Sequence, residues 1–257
     1  MGHQTESMRE FSQTASHEAV LAFYRNALSD LGEGLTLLDL GAGSGAVATA
    51  LLEDADFSRI VAYDRSIDDM SAIPDQEKLH KESSGSHTDL PFDEGSFDAV
   101  ICRYAFHHFS DKPQALTEMG RVLVSDGLLL YSDPVFPRRS KLALNPLYRV
   151  REDHFDSFLT YHDTIRMFEE VGFEILHMRP YKYVYEEFGK YLRGAEDGFV
   201  ESGEHLDEVG PAAEALKVKL RRAWRGLDQQ VKEEMKFEET EGGISFEYPL
   251  VDLAATV

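Results

Sequence analysis

The residues with the clearest chemical promise are Asp39, Gly41, Ala42, Gly43 and Gly45, in the run LLDLGAGSGAVATAL. Glycines at every second position let the backbone turn tightly and let a ligand approach without a Cβ in the way. A helix starting just beyond them would aim its free N–H groups at the same space. Gly41-x-Gly43-x-x-Ala46 also satisfies the dinucleotide-binding pattern. Asp64 ends the next apolar run, RIVAYD, about 20 residues further on, a spacing that suits a ribose hydroxyl pair. A second group of candidates is Tyr104, His107, His108 and His154, whose phenol and imidazoles suit proton transfer to or from a reacting group. Adjacent histidines on an extended segment point apart, and no third ligand is close in sequence, so no metal is expected. Cys102 reads as a small buried packing residue, since nothing in the sequence suggests a thiolate environment.

These residues need elements to position them. LTLLDL (35–40), RIVAYD (59–64), SFDAVICRY (96–104) and LLLYSD (128–133) are short apolar runs, as expected of strands buried on both faces of a parallel sheet. Helices are expected between them, over 46–52, from the capping pair Ser66 and Asp69, and over 113–124 with Ser110 or Asp111 as cap. Asp126-Gly127 is read as the turn before LLLYSD. Alternation of strand and helix over the first 135 residues or so is the signature of a doubly wound, mostly parallel sheet. A helix over Met8–Leu31 precedes the first strand. Residues 134–154 carry Pro, Arg, Tyr and Asn without a strong period and are read as an insertion or lid. Thr160 with Asp163 opens a further helix that ends near Gly172, and FEILHMRPY (173–181) is a strand. Leu216, Leu220, Trp224, Leu227, Val231 and Met235 fit one helix face. Glu241-Gly242-Gly243 then turns into a final strand, and 198–210 reads as an acidic loop.

Composition narrows the function. The chain has 257 residues, 26 Lys and Arg against 47 Asp and Glu, and a net charge of −21. A surface so acidic repels phosphates and anionic lipid, so neither a nucleic acid nor a membrane is an expected partner. Arg221, Arg222 and Arg225 cluster, which leaves room for a local basic patch. No apolar run approaches the roughly 20 residues needed to span a bilayer, and the start MGHQTESMREFSQ lacks an apolar stretch after a basic one. With a single cysteine, a disulfide framework is excluded. The expectation is an acidic cytoplasmic protein, monomer or homodimer.

The succession DLGAGSG, VAYDRS, DLPFDEGSFDAVICR and ALTEMGRVLVSDGLLLYSD resembles the class I S-adenosylmethionine-dependent methyltransferases. The likeness is to their small-molecule group, which includes quinone-biosynthesis enzymes, and it covers roughly residues 35–180. LPF-x-x-x-SFD before the fourth strand and RVL-x-x-x-G-L-L-L before the fifth carry it, and CRYAFHHF looks like a variant within that group. It implies a Rossmann-like doubly wound sheet of seven strands with the last antiparallel. It implies an N-terminal helical extension (1–34) and a methyltransferase domain (35–257) with a lid insertion (134–160) and additional helices (185–240). It implies S-adenosyl-L-methionine as cofactor, the loop Gly41, Ala42, Gly43 and Gly45 against its methionine moiety, Asp39 near its amino group, Asp64 on the ribose and Arg65 flanking the adenine. Ser86-His87 stands where an adenine-contacting Asp is usual, and Ser125-Asp126-Gly127 where Pro-Gly-Gly is common. Cys102 or Arg103 is expected to make a backbone contact at the cofactor–substrate boundary.

Methyl transfer from a sulfonium needs alignment and exclusion of water, with a general base when the acceptor is a hydroxyl or protonated amine. The acceptor is expected to be a small molecule, held by the 134–158 segment with the N-terminal helix, and faced by Tyr148 or His154. Two rival readings are an S-adenosylmethionine-binding protein without catalysis and an NAD(P)-dependent oxidoreductase. The latter needs a catalytic Tyr–Lys set, for which Tyr181-Lys182-Tyr183 is the one close match.

Overall fold

Apolar runs flanked by glycine and polar turns become the central strands. The computed structural model describes residues 15–54, 57–65, 67–68, 70–83, 86–151, 155–185, 222–240 and 243–257. Helix α1 (Ala15–Leu28) leads into β1 (Leu35–Leu40), α2 (Ala46–Asp54), β2 (Phe57–Tyr63), β3 (Leu79–Glu82) and β4 (Phe97–Arg103). A 3-10 turn (Phe106–His108) precedes α3 (Lys112–Val122), β5 (Leu123–Pro134), α4 (Arg138–Arg151), α5 (Tyr161–Val171) and β6 (Glu174–Tyr185). Helix α6 (Gln229–Glu234), β7 (Glu238–Thr240) and β8 (Gly243–Thr256) complete the described elements. The expectations at Met8, Ser66 with Asp69, His154, 198–210, Leu216 with Leu220, and Glu241-Gly242 lie outside the described residues.

Seven strands run in the order β3-β2-β1-β4-β5-β8-β6, with the short β7 paired to β8. β1 to β5 are parallel, and β8 lies antiparallel between β5 and β6. The order reverses at β1 and β4, which makes their carboxyl ends the switch point where ligands bind such sheets. β3 had no sequence signal. It is a four-residue edge strand in which Leu79 alone is buried, so it lacks an apolar run.

Alternation along the strands divides the core. Leu37, Ala99 and Leu130 meet α1 and α2 on one face, through Leu21, Tyr24 and Leu51. Leu38, Val100, Leu129 and Tyr131 meet α3 and α5 on the other, through Leu116, Met119 and Phe168. Asp111 caps α3 by accepting from the Gln114 N–H at 3.1 Å. Thr160 and Asp163 form the expected capping box of α5, and Gly172 closes that helix at φ 106°. The Asp126-Gly127 turn persists as a bulge inside β5. Phe97 pairs with Leu123 but Ala99 with Leu128, and Asp126 sits at φ 64°.

β6 and β8 outrun the sheet. Pairing of β5 with β8 ends at Pro134–Leu250, while β6 and β8 stay paired to Tyr185–Phe246. On this extension sits a third core of Phe136, Leu144, Tyr148, Phe155, Phe158, Trp224, Val231, Met235 and Tyr248. Two expectations change here. The 134–154 segment is mostly a helix, α4, whose period was masked by Pro146 inside it, and Leu144 and Tyr148 bury it. The Trp224–Met235 stripe is not one helix: it breaks at Gly226 and restarts at Asp228, whose carboxylate caps α6 through the Gln230 N–H at 2.9 Å. Its apolar residues nonetheless share one cluster. Phe158, fully buried between Phe136, Tyr148 and Phe155, is the centre of this core. Phe158→Ala should lower unfolding free energy by about 3–5 kcal/mol, read from the urea midpoint. A loss under about 1 kcal/mol would mean that the third core contributes little to global stability.

Candidate active site

Strand β1 ends at Asp39, which is 2% exposed. Its Oδ2 accepts from the Ala48 N–H in the first turn of α2 at 3.2 Å. Burial pushes its pKa from 3.8 up to about 7, against the Ala48 hydrogen bond and the pull of Arg103. The N–H groups of Gly41 and Ala42 both donate to the Tyr63 carbonyl, at 2.8 and 3.1 Å, tying the loop to the end of β2. Gly41, Gly43 and Gly45 hold φ of 77°, 51° and 72°, where side chains are disfavoured. A Cβ on Gly41 would overlap that of Ala105, and one on Gly45 would overlap the Ile73 side chain. Those two glycines answer to the protein's own packing rather than to a ligand's approach. The Gly43 N–H donates to Asp64 Oδ2 at 2.9 Å, so Asp64 organises the loop, with exposed Arg65 beside it.

Strand β4 ends in Cys102 and Arg103. Cys102 is fully buried, and its thiol is pushed well above the ordinary range by burial and the charges of Asp133 and Asp39, which keeps it a packing residue. Arg103 is 8% exposed, and its buried Nε and Nη2 have no hydrogen-bond partner among the described residues. Its guanidinium lies 4.5 Å from the centre of the Tyr104 ring. Tyr104 sits at φ 51°, and its hydroxyl is 3.4 Å from that of Tyr181. Burial raises the pKa of both phenols.

His107 lies on the turn after β4, with Nδ1 2.8 Å from Asp133 Oδ1 near the end of β5. His107 is 8% and Asp133 2% exposed. The His107 carbonyl accepts from the N–H groups of Asp156 and Ser157, each at 3.1 Å. Lys112 Nζ fixes that segment, donating to the Phe109 carbonyl at 2.8 Å and to Asp156 at 2.6 Å. His108 is half-buried, its ring centroid 4.0 Å from that of His107. The Ser86 carbonyl accepts from Tyr63, and His87 stacks on Phe109 with centroids 4.2 Å apart. Burial, helped by Lys112, lowers the His87 pKa.

Of the predicted residues, the structure gathers Asp39, Gly41, Ala42, Gly43, Gly45, Asp64, Arg103, Tyr104 and His107 at the carboxyl ends of β1, β2 and β4. His154 lies outside the described residues. Tyr148 is 3% exposed and packs in the third core, so it does not face an open pocket. Tyr181 and Lys182 are neighbours on β6, where successive side chains take opposite faces. Lys182 pairs instead with Glu247 at 2.6 Å. A cleft of about 960 Å³ opens between the first turns of α4 and α5 and strands β6 and β8, its rim carrying Arg138, Lys141 and Lys182. Phe136 in its wall packs on Phe158, which stands between the cleft and His107.

Sequence reasoning missed Asp133, though its position at the end of an apolar strand matches those of Asp39 and Asp64. It also missed a buried relay. Tyr24 donates to Ser132 at 2.6 Å, Ser132 donates to Asp252 at 2.6 Å, and Arg179 pairs with Asp252 and bonds the Ala19 carbonyl at 3.0 Å. That relay latches α1 across the sheet.

A family profile described as a methyltransferase domain matches residues 11–178. The chain belongs to the class I S-adenosylmethionine-dependent methyltransferases. This methyltransferase is 36% identical over 121 residues to the uncharacterized methyltransferase YcgJ of Bacillus subtilis, across 45% of this chain and 48% of that one. It is 32% identical over 123 residues to a demethylmenaquinone methyltransferase of Deinococcus radiodurans, across 46% and 50%. The chain thus spans about half the length of these relatives. The solved structure of YcgJ superposes with a TM-score of 0.73 at 20% identity, covering 93% of this methyltransferase and 98% of YcgJ. Among the described residues no group of three or more His, Cys, Asp or Glu is placed to hold a metal ion, and no helix is long and apolar enough to cross a membrane.

Asp39 gives a test of the site's electrostatics. An acid whose pKa is raised on folding holds more protons folded than unfolded between its two values. Its contribution to stability therefore falls as pH rises from about 4 to about 7 and is constant above that. Asp39→Asn removes the ionisation and keeps an acceptor for Ala48. Its thermal midpoint should gain on wild type between about pH 5 and about pH 8. A gap that stays constant would place the Asp39 carboxylate in a well-solvated setting instead.

Proposed function

We propose that this methyltransferase binds S-adenosylmethionine at the carboxyl ends of β1, β2 and β4 and transfers its methyl group to a small-molecule acceptor by in-line displacement. One observation carries the reading. Asp39 and Arg103 are buried on neighbouring strands without pairing to each other, and Arg103 keeps two guanidinium nitrogens without a partner among the described residues. A buried unpaired cation beside a buried acid is costly unless a ligand answers both. The α-ammonium and α-carboxylate of an amino acid do so, and the methionine end of the cofactor is such a group. The residues present therefore fit it.

In this reading Asp39 takes the ammonium, Arg103 the carboxylate, and the loop Gly41, Ala42, Gly43 and Gly45 the methionine chain. Asp64 holds the ribose diol, Arg65 flanks the adenine, and Ser86 and His87 meet its edge. The cofactor supplies a methyl group on positively charged sulfur. The chain's own part is to hold the acceptor in line and keep water out, and orientation of this kind contributes up to roughly 7–11 kcal/mol in favourable model systems. The likeness to a demethylmenaquinone methyltransferase supports a small-molecule rather than a macromolecular acceptor.

Calorimetry with S-adenosylhomocysteine tests this. Asp64→Ala should weaken binding by about 1.5–3 kcal/mol through loss of a charge-assisted hydrogen bond. Asp64→Asn, which still accepts from Gly43, should lose less. Gly43→Val should abolish binding. Unchanged affinity in Asp64→Ala would remove Asp64 from the site, and a thermal shift with NAD in place of S-adenosylhomocysteine would favour a nicotinamide enzyme.

A further inference from the structure

We propose that His107 is the general base of this enzyme, that Asp133 positions it, and that the acceptor is therefore a hydroxyl compound, best a phenol. The inference rests on the methyltransferase reading above and adds the acceptor's chemistry to it.

Three observations converge. First, the imidazole is oriented. Nδ1 is 2.8 Å from the buried Asp133 carboxylate, which as an acceptor fixes the proton on Nδ1 and leaves Nε2 with its lone pair. Nε2 has no hydrogen-bond partner among the described residues. Second, the backbone is locked. The His107 carbonyl takes two N–H groups from 156–157, and Lys112 clamps that segment. Third, the turn begins against the cofactor loop. Ala105, two residues before His107, fills the space that a Cβ on Gly41 would need. An oriented base beside the cofactor loop is superfluous for an acceptor that is already ionised, such as a thiolate or a stabilised carbanion. It matters for one whose nucleophile carries a proton at neutral pH, a hydroxyl or a protonated amine, and the apolar rings of Phe155 and Phe158 beside His107 disfavour a charged ammonium. The phenols of Phe-like size suit the aromatic setting of His107, whose ring lies 6.0 Å from that of Phe155 and 5.6 Å from that of Phe158. A phenol, with a pKa of about 10, also gives up its proton to imidazole far more readily than an aliphatic alcohol.

The step balances. The acceptor's O–H proton passes to His107 Nε2 while an oxygen lone pair forms the new O–CH3 bond. The electron pair of the breaking S–CH3 bond stays on sulfur, and the imidazolium afterwards returns its proton to water. The charged and titratable groups around His107 are Asp133 on β5, Cys102 on β4 next to Asp133, His108 on the same turn, Lys112 on α3 and Asp156 before α5.

The test uses the full-length enzyme with phenol and catechol as protonated probes and 4-nitrophenol, largely ionised in mildly alkaline buffer, as the pre-ionised one. S-adenosylhomocysteine release is the readout. His107→Gln should lower kcat on phenol and catechol by roughly 10²–10⁴-fold, leave kcat on 4-nitrophenol nearly intact, and leave S-adenosylhomocysteine affinity unchanged. Asp133→Asn should lower kcat on phenol and catechol with little change in KM and should mix the two His107 tautomers in the nitrogen–proton spectrum, because an amide can offer an N–H as well as an oxygen to Nδ1. Long-range nitrogen–proton NMR of histidine-labelled wild type should show His107 protonated on Nδ1 and bare on Nε2. Equal losses on all three probes, or a proton on Nε2, would overturn the role of His107. The NMR result decides even if His107→Gln does not fold. Binding of S-adenosylhomocysteine with no turnover of any hydroxyl probe would overturn the acceptor class. Failure to bind S-adenosylhomocysteine at all would instead overturn the methyltransferase site itself.

Discussion

The contact between the β1 loop and the turn after β4 sets the geometry of the molecule's working end. Gly41 and Ala105 come so close that a Cβ on Gly41 would overlap the Ala105 methyl group. Two backbone hydrogen bonds to Tyr63 pull the same loop onto the end of β2. Three strand ends are thereby fastened to one another, and each delivers a polar residue: Asp39, Asp64 and Arg103. The turn that begins at Ala105 then carries His107 back to Asp133 on the adjacent strand. This contact and the two Tyr63 hydrogen bonds thus bring the ends of β1, β2 and β4 together at one end of the sheet.

Burial of these groups is unfavourable on its own account. An unpaired charge in an apolar interior loses its hydration, and the protein answers in different ways at different sites. Asp39 accommodates burial by a pKa raised to about 7. Asp133 receives the His107 ring. Asp252, fully buried, is held by Ser132 and Arg179, and so becomes the anchor of α1. Arg103 keeps two guanidinium nitrogens, Nε and Nη2, without a hydrogen-bond partner among the described residues. A buried cation left in that state is the group that the proposed ligand's carboxylate would answer.

The third core serves the site from outside the central sheet. β6 and β8 continue past β5, and Trp224, Val231 and Met235 pack onto that extension with Phe136 and Tyr148. Phe158 and Phe155 belong to this core and also border His107. Phe136, Leu144, Tyr148, Phe155 and Phe158 are therefore anchored by packing with one another. The Asp156–Ser157 amides beside them donate to the His107 carbonyl.

Local pattern alone determined much. Apolar runs, those of β1, β2 and β5 ending at glycine or aspartate, located β1, β2, β4 and β5, because a strand buried on both faces needs nothing but apolar side chains. Thr160 with Asp163, and Asp111, announced their helices, because a cap is satisfied within one turn of chain. The glycine loop and Asp64 were legible for the same reason. Tertiary structure decided the rest. β3 has no apolar run, since an edge strand borrows its partner's hydrogen bonds. α4 carries an internal proline that local preference rejects and that packing of Leu144 and Tyr148 overrides. The pairings His107–Asp133, Ser132–Asp252 and Tyr24–Ser132 join residues 26, 120 and 108 positions apart. No local pattern encodes them, because a hydrogen bond depends on where two strands lie in space, and strand order is settled only when the whole sheet assembles.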